Sequence, residues 1–443
     1  MLYHSFREYV LGATKIGIGL GVVSILARWV TGNTIFASPE ALVKYGIFGG
    51  IGYALMGAIT LVAFGWVGKQ VRKQYSQGQT IGDFFQFKLH PLGYWIMIGI
   101  LLMTSIEGMF MQGMAAGVLA NILFGVPIPV GNLIFFMLCV LYVALGGIVV
   151  IHRLAVVQMI FLFATAILIP LYFFIEKGVE HVYEGIRLYH PYLLVVNNHE
   201  GMFFIVTGLL IGFGQVFVDQ ASWQRLYMLE EKKVVPTFVL SGLIWSTIPL
   251  AFSSFVMVVI FTGGFQNIFS LLFDLVRKID NLFLLTLFAL CTFGAIISAF
   301  SAGLHSMISL IVGNVYSLFN PYASERQKIR KGYSLAIVIG LFSFVLTFYF
   351  TPTLLDLLFF FGIIYAALAV PVLVIVLSRQ KAGSFIPVCT VLGLTSAYIA
   401  RSHVGNLNAV WISMIVSTAL VIAYLGFQLL HKYWSRRTAP GSL

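Results

Sequence analysis

Long apolar runs separated by short polar segments repeat along the whole chain. A helix of roughly 20 apolar residues, at about 1.5 Å per residue, crosses the roughly 30 Å hydrocarbon core of a bilayer. The pattern therefore predicts an all-α integral membrane protein with the lipid bilayer as a partner. We place twelve spans near residues 14–36, 46–67, 93–125, 130–150, 154–175, 201–225, 235–261, 282–313, 332–351, 353–378, 382–401 and 405–431.

The polar segments between the spans carry an orientation signal. Most of the 26 Lys and Arg residues fall in alternate segments, on the same side as the N-terminus. Because Lys and Arg accumulate in cytoplasmic loops, this pattern predicts that both termini are cytoplasmic. It predicts a multi-pass protein of the cell membrane.

Composition excludes several other classes of protein. The chain is 60% hydrophobic and only 9% charged, whereas soluble domains have roughly 25% charged residues. The net charge of +11 is explained by the loop pattern, so no nucleic-acid partner is expected. The three cysteines lie in apolar runs without metal or redox spacing, and no catalytic spacing is recognisable. We therefore expect neither an enzyme nor a cofactor, and no metal beyond a coupling ion.

Glycine and polar residues interrupt the first and sixth spans. The first contains VTGNT, and the sixth contains GLLIGFGQ with Gly208, Gly212 and Gly214. Interrupted helices at matching positions of two halves are typical of inverted-repeat transporters with a midplane site. Close helix packing is the alternative explanation for such glycines. We predict a single transmembrane domain over 1–443, with core repeats at about 10–175 and 200–378 and additional helices at 382–431.

Four ionisable residues fall inside spans or at their edges, namely Arg28, Glu107, Asp219 and Asp356. Such residues usually face a bundle interior, a partner or a water path. Arg28 keeps its charge in proteins, so it needs an anion, and Glu107 is the expected partner. This pair would be structural, would take part in coupling, or would leave Arg28 to anchor a substrate carboxylate; Glu107 alone could instead carry a proton. Asp219 could also pair with Arg225 or cap a turn.

The end of the sixth span, GQVFVDQASWQRLYMLEEKK, resembles the DQ-x-x-x-QR motif of the solute:sodium symporter family. Further stretches resemble its first, fifth and eighth core helices, namely SILARWVTGNTIFASPEALVKYG, LYVALGGIVVIHRLAVVQMIFLFA and AIISAFSAGLHSMISLIVGNVY. The resemblance covers about residues 5–430. It implies a LeuT-like five-plus-five inverted repeat with broken helices 1 and 6, two C-terminal helices, and alternating access. The tail enters the first core helix directly, so the usual helix before the core is expected to be lacking.

The resemblance also implies a sodium site between the first and eighth core helices. By position, its ligands would be the carbonyls of Ala27, Val30 and Ala295 and the hydroxyl of Ser298, with Ser301 as a further candidate.

This sequence departs from the family in three places. Ala299 replaces a second hydroxyl at that site, and Arg28 lies between the two expected carbonyls of the first helix. In the fifth helix, Ala155 stands where many members have an Asp that can help hold an additional sodium. We hypothesise that the guanidinium takes the electrostatic place of sodium, which would weaken or abolish sodium dependence. The alternative is that sodium still binds, and the coupling ion is Na⁺ or H⁺.

The resemblance places a substrate site at the two broken helices. Its expected residues are Trp29, Thr31, Asn33, Thr34, Asp219 and Gln220, with Gln215 and Trp245 added by location. Polar groups with aromatic walls suit a small polar solute. The seventh helix, SGLIWSTIPL, lacks the Lys of the sugar-transporting relatives, and VFVDQASWQR is most similar to the urea-transporting branch. We predict a secondary active transporter; the alternative is a solute sensor or accessory subunit, which would need a protein partner.

Overall fold

The computed structural model describes residues 3–195, 198–259, 276, 278, 279, 281–348, 354–378 and 381–438. These residues form helices and turns, with isolated β-bridges and no strand among them. The main helices are α1 (Phe6–Leu11), α2 (Ile18–Trp29), α3 (Gly32–Tyr45), α4 (Ile47–Gln74), α5 (Ile81–Lys88), α6 (Pro91–Phe124), α7 (Ile128–Lys177), α8 (Val179–Tyr189), α9 (His199–Val218), α10 (Gln220–Met228), α11 (Val234–Ser253), α12 (Leu282–Leu310), α13 (Glu325–Leu346), α14 (Leu354–Leu377) and α15 (Phe385–Thr438).

The all-α membrane fold predicted from the sequence is confirmed. Within the described ranges, nine helices are long and apolar enough to cross a bilayer, or ten if α2 and α3 form one span bent by 63°. The predicted spans 130–150 and 154–175 share α7, which is kinked at Gly147 with φ 51°. The last two predicted spans share α15, kinked at Gly405 with φ 79°. The count of twelve therefore stays a prediction.

Some predicted positions lie outside the described residues. Residues 261, 351 and 353, which end or begin predicted spans, are among them, and so is the side chain of Asp356.

The glycines of the sixth span do not break its helix. Gly208, Gly212 and Gly214 all lie inside α9, and the helix is interrupted later, at Asp219. A Cβ on Gly214 would stand 1.7 Å from the backbone oxygen of Tyr365 on α14. Glycine is therefore required there for the close approach of two helices, which is the packing explanation.

Hydrogen bonds join α2, one half of the first broken helix, to α10, one half of the second broken helix. The amide of Ile16, just before α2, donates to the carbonyl of Met228 at the end of α10, at 3.1 Å. The guanidinium of Arg225 on α10 donates to the carbonyl of Ser24 on α2, at 3.0 Å. Arg225 is fully buried, so α2 and α10 are held together both at their edge and in the interior.

Candidate functional site

The first core helix is broken at residues 30–31, and the side chain of Thr31 caps the helix that follows. Helix α2 ends at Trp29, Val30 has extended backbone angles, and α3 begins at Gly32. The hydroxyl of Thr31 accepts a bond from the amide of Thr34, and the Thr34 hydroxyl accepts from the Thr31 amide. This capping box starts α3 in a new direction.

Backbone groups that lose their helical hydrogen bonds at this break are bonded by side chains of other helices. The amide of Gly32 donates to Oε1 of Gln112 on α6 at 3.0 Å. The carbonyl of Trp29 accepts from Trp245 Nε1 on α11 at 3.1 Å and from the Thr34 hydroxyl at 3.1 Å. The break is therefore satisfied by polar side chains, as a membrane interior requires.

The second break centres on Asp219. It ends α9 and precedes α10, with φ −72° and ψ 92°. Its Oδ2 accepts from the amide of Ser222 at 2.9 Å and from the Ser222 hydroxyl, so it caps α10. Trp29 Nε1 donates to the same hydroxyl at 2.8 Å, which joins the two breaks.

The other oxygen of Asp219 binds Arg28. Arg28 Nε and Nη2 both donate to Oδ1, at 2.9 and 2.7 Å. The side chains are only 18% and 7% exposed. This differs from the expected partner, because Glu107 instead accepts a hydrogen bond from the Tyr365 hydroxyl. The break at Asp219 turns its carboxylate to the interior, beside Arg28. The spacing of these two residues along the sequence does not predict their contact.

Two small polar cavities flank the Arg28–Asp219 pair. One has a volume of about 60 Å³ and the other about 50 Å³. All but one of the predicted substrate residues line at least one of them, namely Trp29, Thr31, Asn33, Thr34, Gln215, Asp219 and Trp245. Gln220 does not, because its amide donates to the carbonyl of Leu101 at 2.8 Å and to the Ser105 hydroxyl at 2.7 Å.

The larger cavity has room for a very small solute. One water molecule needs a cavity of roughly 10–15 Å³, so a cavity of about 60 Å³ has room for roughly four to six water-sized groups. The sequence prediction missed several lining residues, namely Tyr53, Met56, Thr104, Ser105, Gln112 and Tyr365. A polar stripe on apolar α6, including Thr104 and Gln112, is the signal that could have found part of this set.

The residues expected at the sodium site do not all face one space. Ala27, Val30 and Ala295 are buried. Ser298 lines a separate, largely apolar groove together with Gln158, whereas Ala299 lines the larger polar cavity. Ser301 is buried, and its hydroxyl lies beside the thiol of Cys139 on α7. Sodium binding here therefore stays a prediction.

The sequence of this chain is similar to those of known membrane transporters. A family model described as the sodium:solute symporter family matches residues 9–379. A probable urea active transporter of Schizosaccharomyces pombe is 22% identical in an alignment of 432 positions that covers 87% of this chain and 63% of that protein. A urea-proton symporter of Oryza sativa subsp. japonica is 20% identical, over 77% of this chain and 53% of that protein. The chain thus spans less than two thirds of the length of either relative.

Solved structures share the architecture. A Na⁺-coupled sialic acid symporter, in a substrate-bound outward-open state, matches with a TM-score of 0.76 and 15% identity, covering 94% of this chain and 91% of that one. A nucleobase-cation-symport-1 family transporter, in a closed conformation, matches with a TM-score of 0.58 and 12% identity, covering 93% of each chain. At these identities, the likeness concerns the fold.

Proposed function

This chain belongs to the sodium:solute symporter family, and from that premise we propose that it is a secondary transporter of a small, uncharged, polar solute of the urea class. One observation carries the proposal. Side chains from both broken helices line polar cavities on either side of a buried ion pair. Alternating access around such a midplane site is the usual mode of transport in this architecture.

Charge and size support an uncharged solute. Arg28 and Asp219 neutralise each other at 2.7 Å, so neither is left to bind a charged group of a solute. The cavities offer hydrogen-bond donors and acceptors, among them Thr31, Asn33 and Gln215. A planar amide such as urea has both kinds of group and few heavy atoms, and both relatives described above are named as urea transporters.

Weakened sodium dependence is part of the proposal. Arg28 occupies the broken helix between the expected sodium-ligating carbonyls of Ala27 and Val30, and its guanidinium joins that helix to the second break. The guanidinium, a cation that belongs to the chain itself, joins the two helices there as a bound ion would otherwise do. By the resemblance, Ala299 lacks the second hydroxyl of that sodium site, and Ala155 lacks the Asp that helps many members hold an additional sodium.

Counterflow of radiolabelled urea in proteoliposomes tests the function. We expect counterflow in sodium buffer and in sodium-free choline buffer alike. An absolute sodium requirement would contradict the replacement of sodium by Arg28. Solute binding without counterflow would instead favour a sensor or accessory subunit.

A matched pair of tryptophan variants tests the site. Trp245→Phe removes a cavity-lining indole N–H that binds the Trp29 carbonyl, so counterflow should fall about tenfold, the effect of one hydrogen bond of about 1.4 kcal/mol. Trp411→Phe removes an indole N–H that binds Thr207 away from the cavities and should leave counterflow unchanged. Equal effects of the two variants would argue against this site.

A further inference from the structure

A second carboxyl faces the solute cavity without a cation in contact. Glu107 lies on α6, is 4% exposed, and lines the cavity of about 60 Å³ together with Arg28 and Asp219. Its Oε2 accepts a hydrogen bond from Tyr365 on α14. Among the described residues, the ion pairs within 4.0 Å include Arg28 with Asp219 and none with Glu107.

The surroundings of Glu107 hold few other ionisable groups. Arg28 and Tyr365 act on it directly, Tyr398 on α15 lies within electrostatic range, and Asp219 lies near Tyr365. Arg28 is the cation of this set, and the fully buried Arg225 on α10 is a second cation that acts on Asp219 and Arg28 but does not line the cavity. An ionised carboxylate is costly in a membrane interior unless a cation pairs with it, and binding a proton removes that cost.

Arg28 is bound to Asp219 and passes close to the helix that carries Glu107. A Cβ built on Gly108, the neighbour of Glu107, would stand 3.9 Å from Arg28 Nη2. The same Nη2 is 2.7 Å from Oδ1 of Asp219. Arginine side chains are long and flexible, so a change of rotamer could carry the guanidinium from one carboxyl towards the other.

We propose that Glu107 is the proton-binding site that couples this transporter, and that its charge determines which carboxyl holds Arg28. This inference rests on the proposed transport function. One proton binds the Glu107 carboxylate from the outer side as the solute enters, and it leaves to the inner side as the solute departs. Nothing else is consumed or formed, so one solute and one proton cross together.

The charge balance explains why proton and solute would move together. With Glu107 neutral, the cavity contains one cation and one anion, Arg28 and Asp219, and its net charge is zero. With Glu107 ionised, a second carboxylate competes for Arg28 and the cavity has a net charge of −1. The neutral form is the cheaper one to enclose with the solute in a membrane interior. After the proton and the solute have left, the empty carrier returns with Glu107 ionised and Arg28 shared between the two carboxylates, so each cycle moves one proton with one solute.

Asp219 is the less suitable proton acceptor. Its Oδ1 takes two donors from Arg28, and its Oδ2 takes two from Ser222. Protonation would weaken the contact with Arg28 and the cap of α10 together. Glu107 has a hydroxyl on one oxygen and the cavity beside it, so it can gain a proton while these contacts remain.

Proteoliposomes loaded with a pH-sensitive dye test the proposal. With wild-type protein, external urea should acidify the lumen, and an inward proton gradient should drive urea above its external concentration. Glu107→Gln mimics the protonated carboxyl, so both the acidification and the gradient-driven accumulation should be lost, and any remaining counterflow should no longer depend on pH. Glu40→Gln is the matched control, because Glu40 is also buried at 2% exposure but does not line either cavity; it should keep all three activities.

Tyr365→Phe provides a second route that leaves Glu107 in place. Loss of the hydroxyl that donates to the carboxylate should move the pH midpoint of urea accumulation upward. Full acidification with Glu107→Gln, or an unchanged midpoint with Tyr365→Phe, would overturn the proposal. Wild-type counterflow without acidification would overturn proton coupling and leave the proposed transport function standing, whereas absence of wild-type counterflow would overturn both.

Discussion

Replacement of Asp219 by Asn removes one charge from the buried pair with Arg28 and keeps an acceptor for the start of α10. The carboxylate oxygen that meets Arg28 takes two donors, at 2.9 and 2.7 Å. Breaking a buried pair by removing one partner costs about 3–5 kcal/mol. Because Arg28 is 18% exposed, we expect the lower end, about 3 kcal/mol. Asp219→Ala also loses the cap on Ser222, which adds about 1 kcal/mol.

A double-mutant cycle measures the pair itself. Arg28→Gln combined with Asp219→Asn leaves two neutral side chains that can bond to each other, and removal of both charges of a buried pair is often nearly neutral. The double variant should therefore be more stable than the two single losses predict, by at least about 2 kcal/mol. Unfolding by SDS titration in mixed micelles gives the free energies. A single Asp219→Asn variant within about 1 kcal/mol of wild type, or simple additivity, would refute the reasoning.

Three other variants test separate parts of the structure. Ala299→Ser adds a hydroxyl at the expected sodium site, and urea counterflow should become more sensitive to sodium than in wild type. Gly214→Ala sets a Cβ 1.7 Å from a backbone oxygen of α14 and should cost more than about 3 kcal/mol in the SDS titration, whereas Gly99→Ala, with nothing within 4 Å, should be tolerated. Gln112→Leu leaves the first amide of α3 buried without an acceptor, so it should lose about 1–3 kcal/mol and slow counterflow.

The sequence predicted the architecture well because membrane burial acts on each span locally. Apolar runs identified the helices, and the polar VTGNT segment predicted the break that Thr31 and Thr34 cap. The second break was placed too early, at Gly208–Gly214. Glycine serves both helix interruption and close packing, and the approach of α14 to Gly214 is a tertiary contact that local sequence does not contain.

The partner of Arg28 shows a second limit. The sequence showed that a buried guanidinium needs an anion, and it offered Glu107, Asp219 and Asp356 as acidic residues. The choice depends on which carboxylate the folded chain turns towards the guanidinium. Asp219 is 191 positions away, and its orientation follows from its own role as the cap of α10. A contact between residues so far apart in sequence cannot be predicted from their spacing.

The hydrogen bonds between α2 and α10 also constrain how the sequence of this chain can evolve. Ile16 with Met228, and Arg225 with Ser24, join one half of the first repeat's broken helix to one half of the second's. A substitution that shifts either half displaces the other. The two repeats are therefore not free to diverge independently on this side of the molecule, and a tolerated change in one will more often be found with a compensating change in the other.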